Sequence, residues 1–166
     1  MRVKQSVHFA KMSPPNVKIE HITEIHIPIE EVWGALIDIE DRSWNKWTRF
    51  EADKAEEGIK GKLLASVEGN DEWESFDFVF GEIDPKNSLS WYGSVGPFGC
   101  LFYGYHTMRS ETIEREDGSS TSHTRLIHTE NFSGILPRLG LGLQYDKLDR
   151  NYLLINEALK TFVEGK

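Results

Sequence analysis

The 166-residue chain predicts an α+β domain, a curved antiparallel sheet of about seven strands wrapped around a long C-terminal helix, with two short helices after the first strand. Three observations carry that expectation. Runs rich in β-branched and aromatic residues follow one another with only turn signals between them, so hairpins join most strands. Near the C-terminus Leu148, Tyr152, Ile155, Leu159 and Phe162 recur at spacings of four and three, an apolar stripe that must be buried against something. Between residues 101 and 133 lies a long hairpin that collects His106, His128 and Glu130 on one apolar face.

Taken in order, residues 1–16 form a polar leader ending in Ser-Pro-Pro-Asn and are expected to be loose, with the domain proper spanning 17–166. The run VKIEHITEIHI from Val17 to Ile27 reads as a strand. Pro28 breaks it at a place that suits the first turn of a helix. Ile29, Val32, Trp33, Leu36 and Ile37 then make one helical stripe, and Glu30 and Glu31 sit in the first turn, where the helix dipole favours negative charge. A second short helix or turn carries Asp41-Arg42-Ser43-Trp44-Asn45. Strands follow at roughly 47–55, 59–68, 72–83 and 88–95, punctuated by Glu57-Gly58, Gly69-Asn70 and Asp84-Pro85-Lys86-Asn87. The hairpin adds two more. A glycine-rich loop, SGILPRLGLG, leads into the final helix, expected over 143–164 with Leu148, Ile155 and Leu159 facing the sheet.

Side chains alternate faces along a strand, so the hairpin sorts itself. Phe102, Gly104, His106 and Met108 share one face of the first arm; Leu126, His128, Glu130 and Phe132 share one face of the second. Directly opposed residues lie on the same side of the sheet. A turn at Asp117-Gly118 therefore places His106 roughly opposite His128 or Glu130. One long helix cannot fill the concave side of a twisted seven-stranded sheet, so a largely apolar ligand cavity is expected there.

Composition narrows the partners. A net charge of −8, from 27 acidic residues against 19 Lys and Arg, argues against non-specific nucleic-acid binding and against adhesion to anionic membranes. One cysteine, Cys100, excludes an intrachain disulfide and fits a reducing compartment. No run approaches the length of a membrane span or a signal-peptide core, so the expectation is a soluble cytoplasmic protein, a monomer or a homodimer. Glycine-rich phosphate loops, paired CxxC and GxSxG are absent from the sequence.

The stretch IPIEEVWGALIDIEDRSWNKW resembles the N-terminal signature of the START-like (SRPBCC, helix-grip) superfamily. LSWYG after Asp84-Pro85, GYHTM, HTENFSG and INEALKTFVE follow in matching order, so the resemblance covers roughly residues 18–164. It is nearest to stand-alone polyketide cyclase/dehydratase-like proteins, in which His and Glu positions matching His106 and Glu130 recur. The resemblance implies a hydrophobic tunnel between sheet and C-terminal helix. It does not imply one reaction, because carriers, receptors and enzymes share the fold.

Two readings attach to the polar groups on the greasy face. His106 with Glu130, and His128 beside them, form a candidate acid/base set, since a carboxylate at one ring nitrogen fixes the tautomer and raises the basicity of the other. The plainer reading is a buried His–Glu hydrogen bond that locks the hairpin register. Two imidazoles and a carboxylate would also suit zinc or iron, but His-x-Glu on a strand arises readily by chance, and no metal is assigned. Phe76, Phe78, Phe80, Trp91, Phe102, Met108, Leu126, Phe132 and Tyr152 are the candidate ligand wall, equally readable as core. The loops GPFG at 96–99 and SGILPRLGLG at 133–142 read as gates or as packed loops. The expected function is binding of a hydrophobic small molecule with cofactor-independent cyclisation, dehydration or isomerisation of a polyketide-like compound. The alternatives are a carrier or sensor that leaves a lipid, sterol or similar ligand unchanged and, more distantly, a protein-interaction module.

Overall fold

The first strand, β1 (Val17–Ile25), alternates as a half-buried strand should, with Ile19, Thr23 and Ile25 buried and Lys18, Glu20, Ile22 and Glu24 turned outward. The computed structural model describes residues 17–70, 72–114 and 122–166; the expected leader at 1–16 and the Asp117-Gly118 turn lie outside the described residues. Behind Pro28, whose fixed φ suits a helix start, α1 (Ile29–Ile37) buries Val32, Ala35 and Leu36. No basic residue stands in its last turn. Arg42 supplies the charge from the next loop, its guanidinium donating to the Leu36 carbonyl at 2.7 Å while lying 5.0 Å from the Phe50 ring centroid. Asp41–Asn45 is a turn, not a helix. Asn45 Oδ1 accepts the backbone N–H groups of Trp47 and Thr48, both at 3.0 Å, a local bond that competes with a helical ladder.

Six further strands follow: β2 (Thr48–Glu51), β3 (Lys60–Ala65), β4 (Glu74–Asp84), β5 (Ser88–Val95), β6 (Phe102–Ile113) and β7 (His123–Ser133). They form one antiparallel seven-stranded sheet in the order β1-β7-β6-β5-β4-β3-β2. Strands β1 and β2, neighbours in sequence, are therefore the two edges, and α1 carries the chain from one edge to the other. A four-residue helix, α2 (Ile135–Arg138), follows β7, and α3 (Tyr145–Glu164) closes the concave face.

The buried side of α3 is Asn151, Tyr152, Ile155, Asn156, Leu159 and Val163, with Leu148 partly covered. That is the expected stripe with two asparagines in it. Opposite, the rings of Phe50, Phe78, Phe80 and Trp91 pack with centroids 4.8–5.2 Å apart. Each such side chain removed from water contributes roughly 1.5–3 kcal/mol, which makes this aromatic block a large share of the core. Among the described residues no helix is long and apolar enough to cross a membrane.

Candidate functional site

The β6–β7 register pairs His106 directly with Glu130, Met108 with His128, and Gly104 with Phe132. His128 is thus the diagonal neighbour of His106, within reach for a ring on the same face. On the other side β5 sets Trp91 opposite His106, and the two rings stack at 3.9 Å with planes 17° apart. From α3, Tyr152 stacks on His128 at 4.8 Å and donates its hydroxyl to Glu130 Oε2. Three strands and one helix meet here.

The polar atoms are connected. His106 Nδ1 lies 3.5 Å from Glu130 Oε2, at the outer limit of a hydrogen bond. His106 Nε2 is hydrogen-bonded to His128 Nε2. Behind it, His128 Nδ1 meets Asn156 Oδ1 at 2.7 Å, and Asn156 Nδ2 donates to Thr23 Oγ1 at 3.1 Å. Burial controls the charge. It raises the Glu130 carboxyl to about 8 and lowers His106 to about 3. His128 is held well below its ordinary value, first by burial and then by the neighbouring His106, against the bond to Asn156. At neutral pH the site is therefore a protonated carboxyl beside two neutral imidazoles, not an ion pair. Among the described residues no three His, Cys, Asp or Glu side chains are placed to share a metal ion, and the two histidines aim their Nε2 atoms at each other.

No family model matches the chain, and no curated protein matches it in sequence. Solved structures do match. The Zhui aromatase/cyclase from Streptomyces sp. R1128 aligns with a TM-score of 0.67 at 16% identity, over 90% of this chain and 94% of that one. Norcoclaurine synthase from Thalictrum flavum, in complex with dopamine and hydroxybenzaldehyde, aligns at 0.63 and 9% identity, over 99% and 96%. Ara h 8.0201 aligns at 0.59 and 12% identity, over 91% and 99%. The chain has the helix-grip, START-like fold.

Rings of Phe50, Phe78, Phe80, Trp91 and Tyr152 are all buried between the sheet and α3. Two hollows among the described residues are a cleft of about 190 Å³ between α1 and the end of α3 and one of about 120 Å³ beside Trp73. Neither touches His106 or Glu130.

Of the expected wall, Phe78, Phe80, Trp91, Met108, Leu126, Phe132 and Tyr152 are buried around the cluster. Phe102 is half-buried beside Phe132, with ring centroids 5.9 Å apart. Phe76 is different: it is 49% exposed, at the start of β4 opposite Leu63. Tyr145 is exposed and donates to the Lys18 carbonyl at 3.1 Å rather than into the site. Sequence reasoning passed over Asn156, Thr23 and Phe50. Asn156 carried a signal, a polar residue one turn from both Tyr152 and Leu159 on the buried stripe.

Glu130 is the member nearest the surface, its side chain 12% exposed against 5% for His106. It sits three residues before Ser133, roughly 10 Å along β7 from the end of the sheet. There the two glycine-rich loops meet. Ile135 and Leu136 donate backbone bonds to the carbonyls of Cys100 and Leu101, both at 3.0 Å. Gly134 has φ +109, and a Cβ there would lie 2.7 Å from the Leu101 carbonyl oxygen, so only glycine fits. Around this seam Val95, Phe98, Leu101, Ile135, Leu139 and Leu141 are exposed, Phe98 completely. They make an apolar rim at the Glu130 end of the sheet.

Proposed function

We propose that the protein takes up a hydrophobic small molecule through the apolar rim and carries out cofactor-independent acid/base chemistry on it at His106 and Glu130. Cyclisation, dehydration or isomerisation of a polyketide-like ketone is the reaction class. The observation that carries this reading is the neutral pair. A carboxyl held protonated and an imidazole held unprotonated, 3.5 Å apart on an apolar face, stand in the protonation states of an acid and a base at the same pH, while the burial that keeps His106 unprotonated also weakens it as a base. An aromatase/cyclase and a synthase in complex with dopamine and hydroxybenzaldehyde among the structures of this fold support the class, not the substrate.

For dehydration of a β-hydroxy ketone, His106 removes the proton α to the carbonyl while Glu130 protonates the departing hydroxyl. The C–H and C–O bonds break, C=C forms and water leaves. His106 is then an imidazolium and Glu130 a carboxylate. Transfer of one proton across their 3.5 Å gap restores both neutral groups, so no outside cofactor enters the balance. Tyr152 holds Oε2, which leaves Oε1 on the side of Gly104 and the Phe102 ring. The substrate oxygen would lie there.

The test is dehydration of an apolar aryl β-hydroxy ketone by wild type and by His106→Ala, with binding followed separately by Trp91 emission. Turnover lost and binding kept supports the enzyme. Binding without turnover in wild type leaves the second reading, a carrier, which is favoured by one feature: His128, Asn156 and Thr23 satisfy one another inside the protein.

A further inference from the structure

Behind His106 the hydrogen bonds have a direction, and Asn156 sets it. The amide NH₂ can only donate, and it points at Thr23 Oγ1 at 3.1 Å. Its Oδ1 can only accept, and it meets His128 Nδ1 at 2.7 Å, so the His128 proton lies on Nδ1. A neutral imidazole carries one proton, which leaves His128 Nε2 bare. That bare atom faces His106 Nε2, and two nitrogens at hydrogen-bond distance share one proton between them. The proton must therefore belong to His106. Its other nitrogen, Nδ1, is then the free lone pair, and it is the atom that faces Glu130.

We propose that Asn156 is a positioning residue that fixes the tautomers of both histidines and so makes Nδ1 of His106 the proton-accepting atom of the site. A leucine would fill this place on the stripe of α3 more cheaply, because a fully buried amide must be desolvated. Thr23, from β1, accepts from the amide NH₂ at 3.1 Å, which leaves Oδ1 turned to His128. Reversing the amide would reverse every proton in the chain, placing N–H where the base must be. The same chain lets His128 Nε2 accept a share of the charge once His106 takes a proton. This inference rests on the acid/base reading of His106 and Glu130, but the tautomers can be observed without any substrate.

Nitrogen-15 NMR of the full chain with labelled histidine, at neutral pH, reads them directly, because protonated and bare ring nitrogens differ widely in shift. Expected for His106 is a bare Nδ1 and a protonated Nε2, and for His128 the opposite. Reversed tautomers in wild type overturn the proposal. In Asn156→Leu the two forms should mix, and proton abstraction should fall in proportion to the share of His106 that has lost its bare Nδ1, with KM little changed. Asn156→Asp keeps the acceptor and should keep the wild-type pattern. Should Asn156→Leu fail to fold, Asn156→Met removes the amide with a more adaptable side chain and should mix the tautomers as well. A folded Asn156→Leu or Asn156→Met with unmixed wild-type tautomers would show Asn156 to be packing only, which defeats the proposal. The stated tautomers together with no proton abstraction in wild type would defeat the acid/base reading instead.

Discussion

His106 and Glu130 face each other across the β6–β7 ladder with Nδ1 and Oε2 3.5 Å apart, and burial drives both to their uncharged forms. Two groups that would pair as ions in water stand here as acid and base. Everything else at the site maintains that state: Trp91 and Tyr152 exclude water from the rings, and Tyr152 holds one carboxyl oxygen.

If the pair works as one unit, its substitutions should not add. His106→Ala and Glu130→Gln should each reduce turnover by about 10²–10⁴-fold while ligand affinity changes little, and the double variant should be scarcely slower than either single one. A purely structural pair would give lowered melting temperatures, since an unpaired buried polar group costs roughly 1–3 kcal/mol, with activity falling only as folded protein is lost. Melting curves and single-turnover rates on the same samples separate the two.

Stability should depend on pH in a way that isolates Glu130. Its carboxyl rises from an ordinary 4.5 to about 8 on folding, so between those values the folded state holds a proton that the unfolded state has released. Stability therefore falls as pH rises through that window and levels off above it. His106 runs the other way: lowered from 6.5 to about 3, it makes stability rise with pH up to about 6.5, and His128 acts in the same direction. Only from 6.5 to 8 does Glu130 act alone. Over that span the melting temperature of wild type should fall relative to Glu130→Gln, with a slope of at most ~1.4 kcal/mol per pH unit. Parallel curves would mean that Glu130 is ionised in the folded protein.

How much of this was legible beforehand differs by residue. That His106 stands opposite His128 or Glu130 followed from alternation and one turn signal, because a hairpin links residues through a short stretch of chain; the strand register assigns Glu130. The stripe of α3 followed from periodicity alone. Thr23 and Asn156 were not legible: they come together from opposite ends of the chain, and no local pattern links a β1 threonine to an α3 asparagine. Alternation placed Phe78, Phe80 and Trp91 on the inner face, where they are buried; how much space their rings leave depends on volume, which a pattern does not encode.

Gly104 offers a way to disturb the acid without touching it. It shares the inner face with His106, and a Cβ at this position would stand 2.8 Å from Glu130 Oε1. Its backbone is ordinary for a strand, so alanine brings crowding rather than strain. Gly104→Ala should fold, shift the Glu130 carboxyl and reduce turnover by tenfold or more, on the order of the ~1.4 kcal/mol that a misplaced proton donor loses. Unchanged kinetics in a folded Gly104→Ala would place the substrate oxygen away from Oε1.

Proton abstraction can be seen without knowing the natural substrate. An aryl methyl ketone such as an acetylnaphthalene, incubated with the protein in D₂O, reports loss of its α hydrogens by mass or by proton NMR. If His106 is a base facing an apolar ligand, deuterium should enter the methyl group well above the buffer rate. His106→Ala, still folded and still binding the ketone, should return exchange to that rate, a loss of about 10²–10⁴-fold. A ketone that binds wild type yet exchanges no faster than in buffer, or exchanges equally in wild type and His106→Ala, would contradict acid/base catalysis at this site.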